Sequence, residues 1–276
     1  MILDPIPTTS LAPMADGAGP HVVIIGGGAS GVLMAAHLLR DPQGQARVTI
    51  IEGRNMLGCG VAYSTSDPDH LLNTRASSMS AFPDQPDHFR DWLATQGIAA
   101  GPDQGDGFVS RSTYGAYMAS LTLPWSHGDG PRRLRCLRAV CVALAEDGCG
   151  VVAHLADGRA VRADRAVLAT GHALPEPDPD GLMQGSWEQG PMPDRDDRVV
   201  IVGSGLSMVD QVLSLLRCGH RGEILVVSRR AQLPRVHAAT RPLSIDIGDV
   251  PLGAPVSRLM AWLRGLVRQA EAGGGT

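Results

Sequence analysis

Short apolar runs alternate with stretches of helical spacing along the first third of the chain. Val22-Val23-Ile24-Ile25 is apolar throughout, the pattern of a central parallel strand buried on both faces. It runs into Gly26-Gly27-Gly28-Ala29-Ser30-Gly31, after which Val32 to Arg40 carries apolar residues at helical spacing until Asp41-Pro42 stops it. Val48-Thr49-Ile50-Ile51 predicts a second strand that ends on Glu52. From about Gly58 to Pro86 the pattern is loop-like, and helices are predicted over Asp87–Gln96 and Arg111–Leu121.

From Ala139 the period becomes that of strands. Val140–Ala145, Val151–Leu155 and Arg159–Arg162 are separated by Asp147-Gly148 and Asp157-Gly158, which predicts a β-meander closed by two tight turns. Ala166-Val167-Leu168-Ala169-Thr170-Gly171 is another buried run ending on Thr-Gly. A stretch dense in Pro, Asp and Gly follows, from Ala173 to Asp197, and reads as a linker. Val199-Val200-Ile201-Val202 then meets Gly203-Ser204-Gly205, a helical run Leu206–Arg217 and a strand Ile224–Ser228. A last helical stretch covers Pro255–Ala272.

The second of these units repeats the first. A shift of 177 positions carries Gly26 onto Gly203, Gly28 onto Gly205 and, without a gap, Glu52 onto Arg229. Each unit is thus a β-α-β turn suited to a phosphate. The first glycine makes the tight turn, the second lets a diphosphate approach the backbone, and Gly31 lets the helix pack on the strand. The helix N-terminus adds amide donors and the positive end of a dipole. With 34 glycines in 276 residues, about 0.5 chance matches to G-x-G-x-x-G are expected, so the strand before, helix after and acid beyond carry the inference. Glu52 suits a ribose with a free 2′-hydroxyl. Arg229 and Arg230 suit a 2′-phosphate, favouring NADPH over NADH, or are an ordinary solvated strand end. Met208 stands where the third glycine would be, so the second helix stands further from its strand or packs differently.

Composition narrows the partners. The formal net charge is −4 and all 24 basic residues are arginine, so no basic face for nucleic acid and no lysine chemistry is expected. Five cysteines without a C-x-x-C argue against a disulfide framework or a zinc site and for a reducing, cytoplasmic setting. The first 20 residues lack a basic n-region and read as a flexible leader, and no apolar run reaches the length of a membrane span.

The fingerprint with Glu52, the meander and the Ala169-Thr170-Gly171 turn resemble flavoproteins with two dinucleotide-binding domains. Gly58-Cys59-Gly60-Val61-Ala62-Tyr63-Ser64, His70-Leu71-Leu72-Asn73, Arg111-x-x-Tyr114-Gly115-x-Tyr117, Gly203 to Asp210 and Ser228-Arg229-Arg230 narrow the resemblance to the FAD-NAD(P)-binding protein family. It implies an α/β fold: a Rossmann-like FAD-binding domain with a β-meander and a helical insert, then a second, incomplete Rossmann-like NAD(P)-binding unit. The corresponding boundaries are a leader over 1–20, the FAD domain over 21–178 with its insert at about 74–135, a linker over 179–197 and the partial unit over 198–276. Related proteins continue further, so the chain reads as C-terminally shortened. It implies FAD at Gly26, Gly27, Gly28, Ala29, Ser30, Gly31, Glu52 and Gly171, and NADPH at Gly203, Ser204, Gly205, Leu206, Ser207, Arg229 and Arg230.

The reaction expected is hydride transfer from NADPH to FAD and on to O2 or a small acceptor, in a monooxygenase-like manner. The alternative is a truncated or partner-completed module that binds both nucleotides without turnover, the partner being another chain or a second copy. Only Cys59 lies where a redox pair would, which excludes disulfide-reductase chemistry. Cys136 and Cys141 enter the meander and pack as small apolar groups. Trp187 without a suitably spaced His does not support a Baeyer–Villiger reaction. His70, Asn73 and His172 are candidates for the flavin edge or substrate, or are loop residues bonding their own backbone. His237 lines the NADP side or caps a turn. Phe89, Trp92, Tyr114 and Tyr117 form a core stripe or an apolar substrate wall.

Overall fold

The computed structural model describes residues 19–99, 107–126, 133–172, 176, 178–188, 190–237, 243 and 245–273. The expectation of a flexible leader over 1–20 lies almost wholly outside them.

The apolar run at the start becomes strand β1 (His21–Ile25), which leads through the glycine turn into helix α1 (Ala29–Leu39) and back to strand β2 (Arg47–Glu52). Strands β1 and β2 pair in parallel, with Ile25 opposite Ile51. Helices α2 (His88–Thr95), α3 (Arg111–Ser120) and the short α4 (Leu123–Ser126) follow. The chain then enters strand β3 (Leu134–Arg138) beside β2, the meander β4 (Cys141–Glu146), β5 (Val151–Leu155) and β6 (Ala160–Ala163), and strand β7 (Arg165–Leu168) beside β1. The main sheet is therefore parallel, in the order β3-β2-β1-β7.

Three layers stack on this sheet. Val22, Ile24, Val48 and Ile50 face Ala35 and Leu39 of α1. On the opposite face Val23, Ile25 and Ile51 meet Ala153, Leu155 and Ala163 of the meander. Beyond α1, Val32 and Ala36 pack on Phe89, Leu93, Tyr114 and Tyr117 of the helical insert. Burying each such side chain is worth about 1.5–3 kcal/mol, so the fully apolar strands are explained by their two covered faces. Phe89 and Tyr117 are wholly buried, and the aromatic stripe is core.

Strand β3 departs from the sequence reading, in which strands resume only at Ala139 after the helical insert. Its Leu-Arg-Cys-Leu-Arg sequence carries charges, which a sheet edge tolerates better than its centre. Cys136 accordingly lies in the parallel sheet and not in the meander. Burial pushes its thiol up to about 12. Both Asp-Gly turns form as expected, with Gly148 and Gly158 at φ +78° and +84°.

The second unit is strand β8 (Val199–Val202), helix α5 (Leu206–Arg217) and strand β9 (Ile224–Val227), with β8 and β9 parallel. Helix α6 (Val256–Ala272) closes the described chain and buries none of its residues.

Candidate functional site

In the first unit Gly26 turns the chain at φ +106°, and its N–H donates to the Ile51 carbonyl (2.8 Å). A Cβ on Gly26 would overlap the Ala169 carbonyl, so the Ala169-Thr170-Gly171 turn is seated directly against the glycine turn. A Cβ on Gly31 would overlap the Gly26 carbonyl, which is the close helix–strand approach expected of the third glycine. Gly28, Ala29 and Ser30 form the N-terminus of α1, with no side-chain cap and no acid in the first turn. Such an end offers amides and a positive dipole to an anion.

A second wall is visible only in three dimensions. Gly58 N–H donates to the Gly27 carbonyl (2.7 Å), which draws Gly58-Cys59-Gly60 across the turn. A Cβ on Gly28 would stand 3.2 Å from the Gly60 Cα, so two bare backbones face one another at the helix N-terminus. Beneath them Cys59 is buried, and burial pushes its thiol up to about 11, away from the reactive thiolate. Glu52 accepts from Gly27 N–H (2.7 Å) through one carboxylate oxygen and from Arg54 N–H (2.8 Å) through the other. Each oxygen keeps a further lone pair for a ribose hydroxyl.

The second turn has the same backbone with different surroundings. Gly203 sits at φ +111° and donates to the Val227 carbonyl (2.8 Å), and Gly205 leads into α5, again uncapped, with Leu206 and Ser207 in its first turn. A Cβ added to Gly203 or Gly205 would meet nothing within 4 Å, so Gly203 answers to its backbone conformation, whereas Gly205, in extended backbone at φ −85°, leaves open space at the start of α5.

Strand register corrects the ungapped repeat. Val22 pairs with Val48, and Val199 with Ile224, so the second unit is one residue shorter between its strands. Ser228, not Arg229, therefore stands where Glu52 stands, and Arg229 and Arg230 follow it, both exposed. The hydrogen bonds agree with this register: Ser204 Oγ bonds Ser228 Oγ (2.9 Å) and donates to the Gln232 carbonyl (2.7 Å), replacing the Gly27–Glu52 link. Ser228 Oγ also accepts from the N–H of Ala231, which is held at φ +48°. A neutral hydroxyl and two guanidinium groups thus occupy the turn where the first unit holds a carboxylate.

His70 and Asn73, the flavin-edge or substrate candidates, are held by side chains of Thr65, Ser214 and Arg111. They sit between the two units. Thr65 Oγ1 is 2.9 Å from His70 Nδ1, and His70 Nε2 is 2.9 Å from Ser214 Oγ on α5. Asn73 Oδ1 accepts from Arg111 (3.3 Å). Gly171 (φ +70°) and His172 are exposed beyond β7. The His237 ring contacts Phe108, with centroids 4.8 Å apart. Arg111 and Asp210 were quoted in the sequence motifs without a role, yet they form a buried ion pair at 2.7 Å. Among the described residues no group of three His, Cys, Asp or Glu is placed to hold a metal, and no helix is long and apolar enough to cross a membrane.

A family model described as FAD-NAD(P)-binding matches residues 23–173. Among solved structures, an ornithine N-hydroxylase from Kutzneria sp. 744, titled with reduced FAD, NADP+ and L-ornithine, is 16% identical with a TM-score of 0.61, over 89% of this chain and 62% of that one. A variant flavin monooxygenase from Stenotrophomonas maltophilia is 22% identical, TM-score 0.53, over 76% and 58%. An S-allyl-L-cysteine S-oxygenase from Allium sativum is 21% identical, TM-score 0.52, over 82% and 54%. At such identities the likeness is one of fold, and this chain spans less than two thirds of each of those chains. No curated protein matches the chain.

Proposed function

The chain belongs to the FAD-NAD(P)-binding family, and from that premise we propose that it is an FAD-dependent, NADPH-using oxidoreductase of the monooxygenase-like kind, acting in the cytoplasm on a small molecule. The observation that carries this reading is the pair of uncapped helix N-termini behind glycines at φ +106° and +111°, one turn faced by a carboxylate and the other by Ser228, Arg229 and Arg230. Bound together, FAD and NADPH would supply the redox chemistry, a two-electron hydride transfer from nicotinamide to flavin with a proton from solvent, and the electrons would go on to O2 or a small acceptor.

The chain's own residues bind and orient. Gly26, Gly27, Gly28 and the Ala29–Gly31 amides receive the FAD diphosphate, with Gly60 as the facing wall. The Glu52 carboxylate accepts from the ribose hydroxyls. Gly203, Ser204 and Gly205, with the Leu206 and Ser207 amides, receive the second diphosphate. Arg229 and Arg230 hold the 2′-phosphate through charge-assisted bonds. Ser228 favours this discrimination, because a carboxylate in its place would repel the phosphate. Gly171 and His172, exposed at the end of the turn seated on Gly26, are the groups assigned to the flavin on this reading.

A second reading, a nucleotide-binding module completed by another chain, is favoured by one observation. Val200 and Val202 of β8 and Leu225 and Val227 of β9 are all exposed, Val202 at 82%.

The visible spectrum of the purified, desalted protein, followed by anaerobic NADPH or NADH, separates the readings. A yellow protein bleached by NADPH in preference to NADH is the expected result. Yellow protein that neither nucleotide bleaches leaves the module, and a colourless protein that cannot take up FAD overturns both.

A further inference from the structure

Arg111, Asp67, Asp210, Ser214 and Arg217, which join the two units, are assigned to neither nucleotide. Arg111, at the start of α3, is 8% exposed. Its Nε donates to the Leu71 carbonyl (3.0 Å) and its Nη2 to Asn73 Oδ1 (3.3 Å), both in the first unit, while Nη2 also meets Asp210 Oδ2 of α5 at 2.7 Å. Asp67 is held the same way from the other side: Ser214 Oγ donates to it (2.7 Å), and so does Arg217 (2.6 Å). With the Ser214 proton on Asp67, Ser214 accepts from His70 Nε2–H, and His70 Nδ1 accepts from Thr65, so every donor in the chain of bonds has an acceptor. Asp210, Ser214 and Arg217 are spaced i, i+4, i+7 and share one face of α5.

We propose that this cluster is a fixed joint whose members are positioning residues: Arg111–Asp210, with Asp67 between Ser214 and Arg217, sets the orientation of the second phosphate turn against the first and so the approach of the two nucleotides. The proposal rests on the reading of both turns as nucleotide sites. An apolar contact would let α5 slide, whereas directional charge-assisted bonds, largely buried at Arg111–Asp210 and partly exposed at Arg217, hold one arrangement. Arg111 is anchored twice within the first unit before it offers an N–H to the second, so its direction is set there. Asp210 lies five residues beyond Gly205, about 7.5 Å along a rigid helix from the turn it controls.

The test uses Asp210→Asn, which keeps size and loses charge, and Ser214→Ala, which cuts two bonds without leaving a buried cation unpaired. Asp210→Glu is the conservative rescue. Amide hydrogen exchange without nucleotide is expected to quicken roughly tenfold over 206–217 in Asp210→Asn, less in Ser214→Ala, and to stay unchanged over 29–39. Unchanged exchange in both variants overturns the joint.

With nucleotides, flavin content and NADPH affinity are expected to stay near wild type in Asp210→Asn and Ser214→Ala. The limiting rate of flavin reduction is expected to fall on the order of tenfold to a hundredfold in Asp210→Asn, less in Ser214→Ala, and to recover in part in Asp210→Glu. A full limiting rate with only NADPH affinity lost overturns the positioning role. Wild type that binds FAD but is never reduced overturns the proposed function instead, and the exchange result then decides the joint alone. If Asp210→Asn does not fold, Ser214→Ala decides by the same signatures.

Discussion

A hydrogen atom is all that Gly31 can present to the Gly26 carbonyl, because any Cβ there enters the oxygen's van der Waals shell. Gly31→Ala is expected to cost about 1–3 kcal/mol, from the strain of forcing α1 off its strand, read as a lower urea midpoint. An unchanged midpoint would show that the helix moves away freely. Asp67 and Asp210 give a second residue-scale prediction, with opposite signs. Burial alone would raise the Asp67 carboxyl, but the Ser214 hydroxyl, the Asp69 N–H, His70 and Arg217 outweigh it and hold it below the usual carboxylate range. Its stabilising contribution is thus complete above that range and lost as pH falls below it. For Asp210 burial prevails over Arg111 and His70, with Asp67 adding to the rise. The folded state therefore takes up that proton first as pH falls, which favours folding. Urea melts between pH 7 and 3 are expected to show Asp67→Asn closing on wild type at the acid end, whereas wild type gains on Asp210→Asn through the window just above the usual carboxylate range.

The two β-α-β elements show what one residue of connection length can do. Their turns superpose in pattern, with Gly26 and Gly203 donating to Ile51 and Val227 at 2.8 Å each. The shorter link in the second unit brings Ser228 to the strand end and leaves Arg229 beyond it. Met208 fills the position of the third glycine and is buried, as is Leu215 one stripe further along α5. Met208→Ala is expected to cost about 2–4 kcal/mol in the unfolding of the second unit, followed by exchange over β8 and β9. A loss no larger than that of a surface substitution would mean that α5 is not held by this contact. At this scale much was legible. Periodicity located both helices that follow the glycine turns, the meander and α2, α3 and α6, since each depends on a pattern a few residues long. Strand β3 escaped because its Arg135 and Arg138 read as polar and only the neighbouring β2 supplies its partner.

Across the whole molecule, the two turns are distinguished by charge. Under the proposed function, Glu52→Arg is expected to abolish retention of FAD after desalting while the chain still folds; undiminished flavin content would remove the ribose argument. Arg229→Ala is expected to weaken NADPH on the order of tenfold with little effect on NADH, the loss of one charge-assisted pair. An equal effect on both nucleotides would remove the 2′-phosphate role. Contact between the units is polar where α5 meets the first unit and aromatic where His237 meets Phe108. The sheet face of the second unit carries Val200, Val202, Leu225 and Val227 into the open.

From the residues alone came the glycine turns, the strand and helix order, and the presence of a carboxylate after the first unit's second strand and arginines after the second's. These are local or compositional, set by backbone freedom at glycine and by apolar spacing. Tertiary structure decided the rest: Ser228 as the counterpart of Glu52, Gly60 as the wall facing Gly28, and the joint of Arg111, Asp67 and α5. Register is fixed by hydrogen bonds between strands, not by counting residues. A bond such as that from Ser214 to Asp67 joins positions 147 residues apart, and only the packing of two finished units brings them within reach.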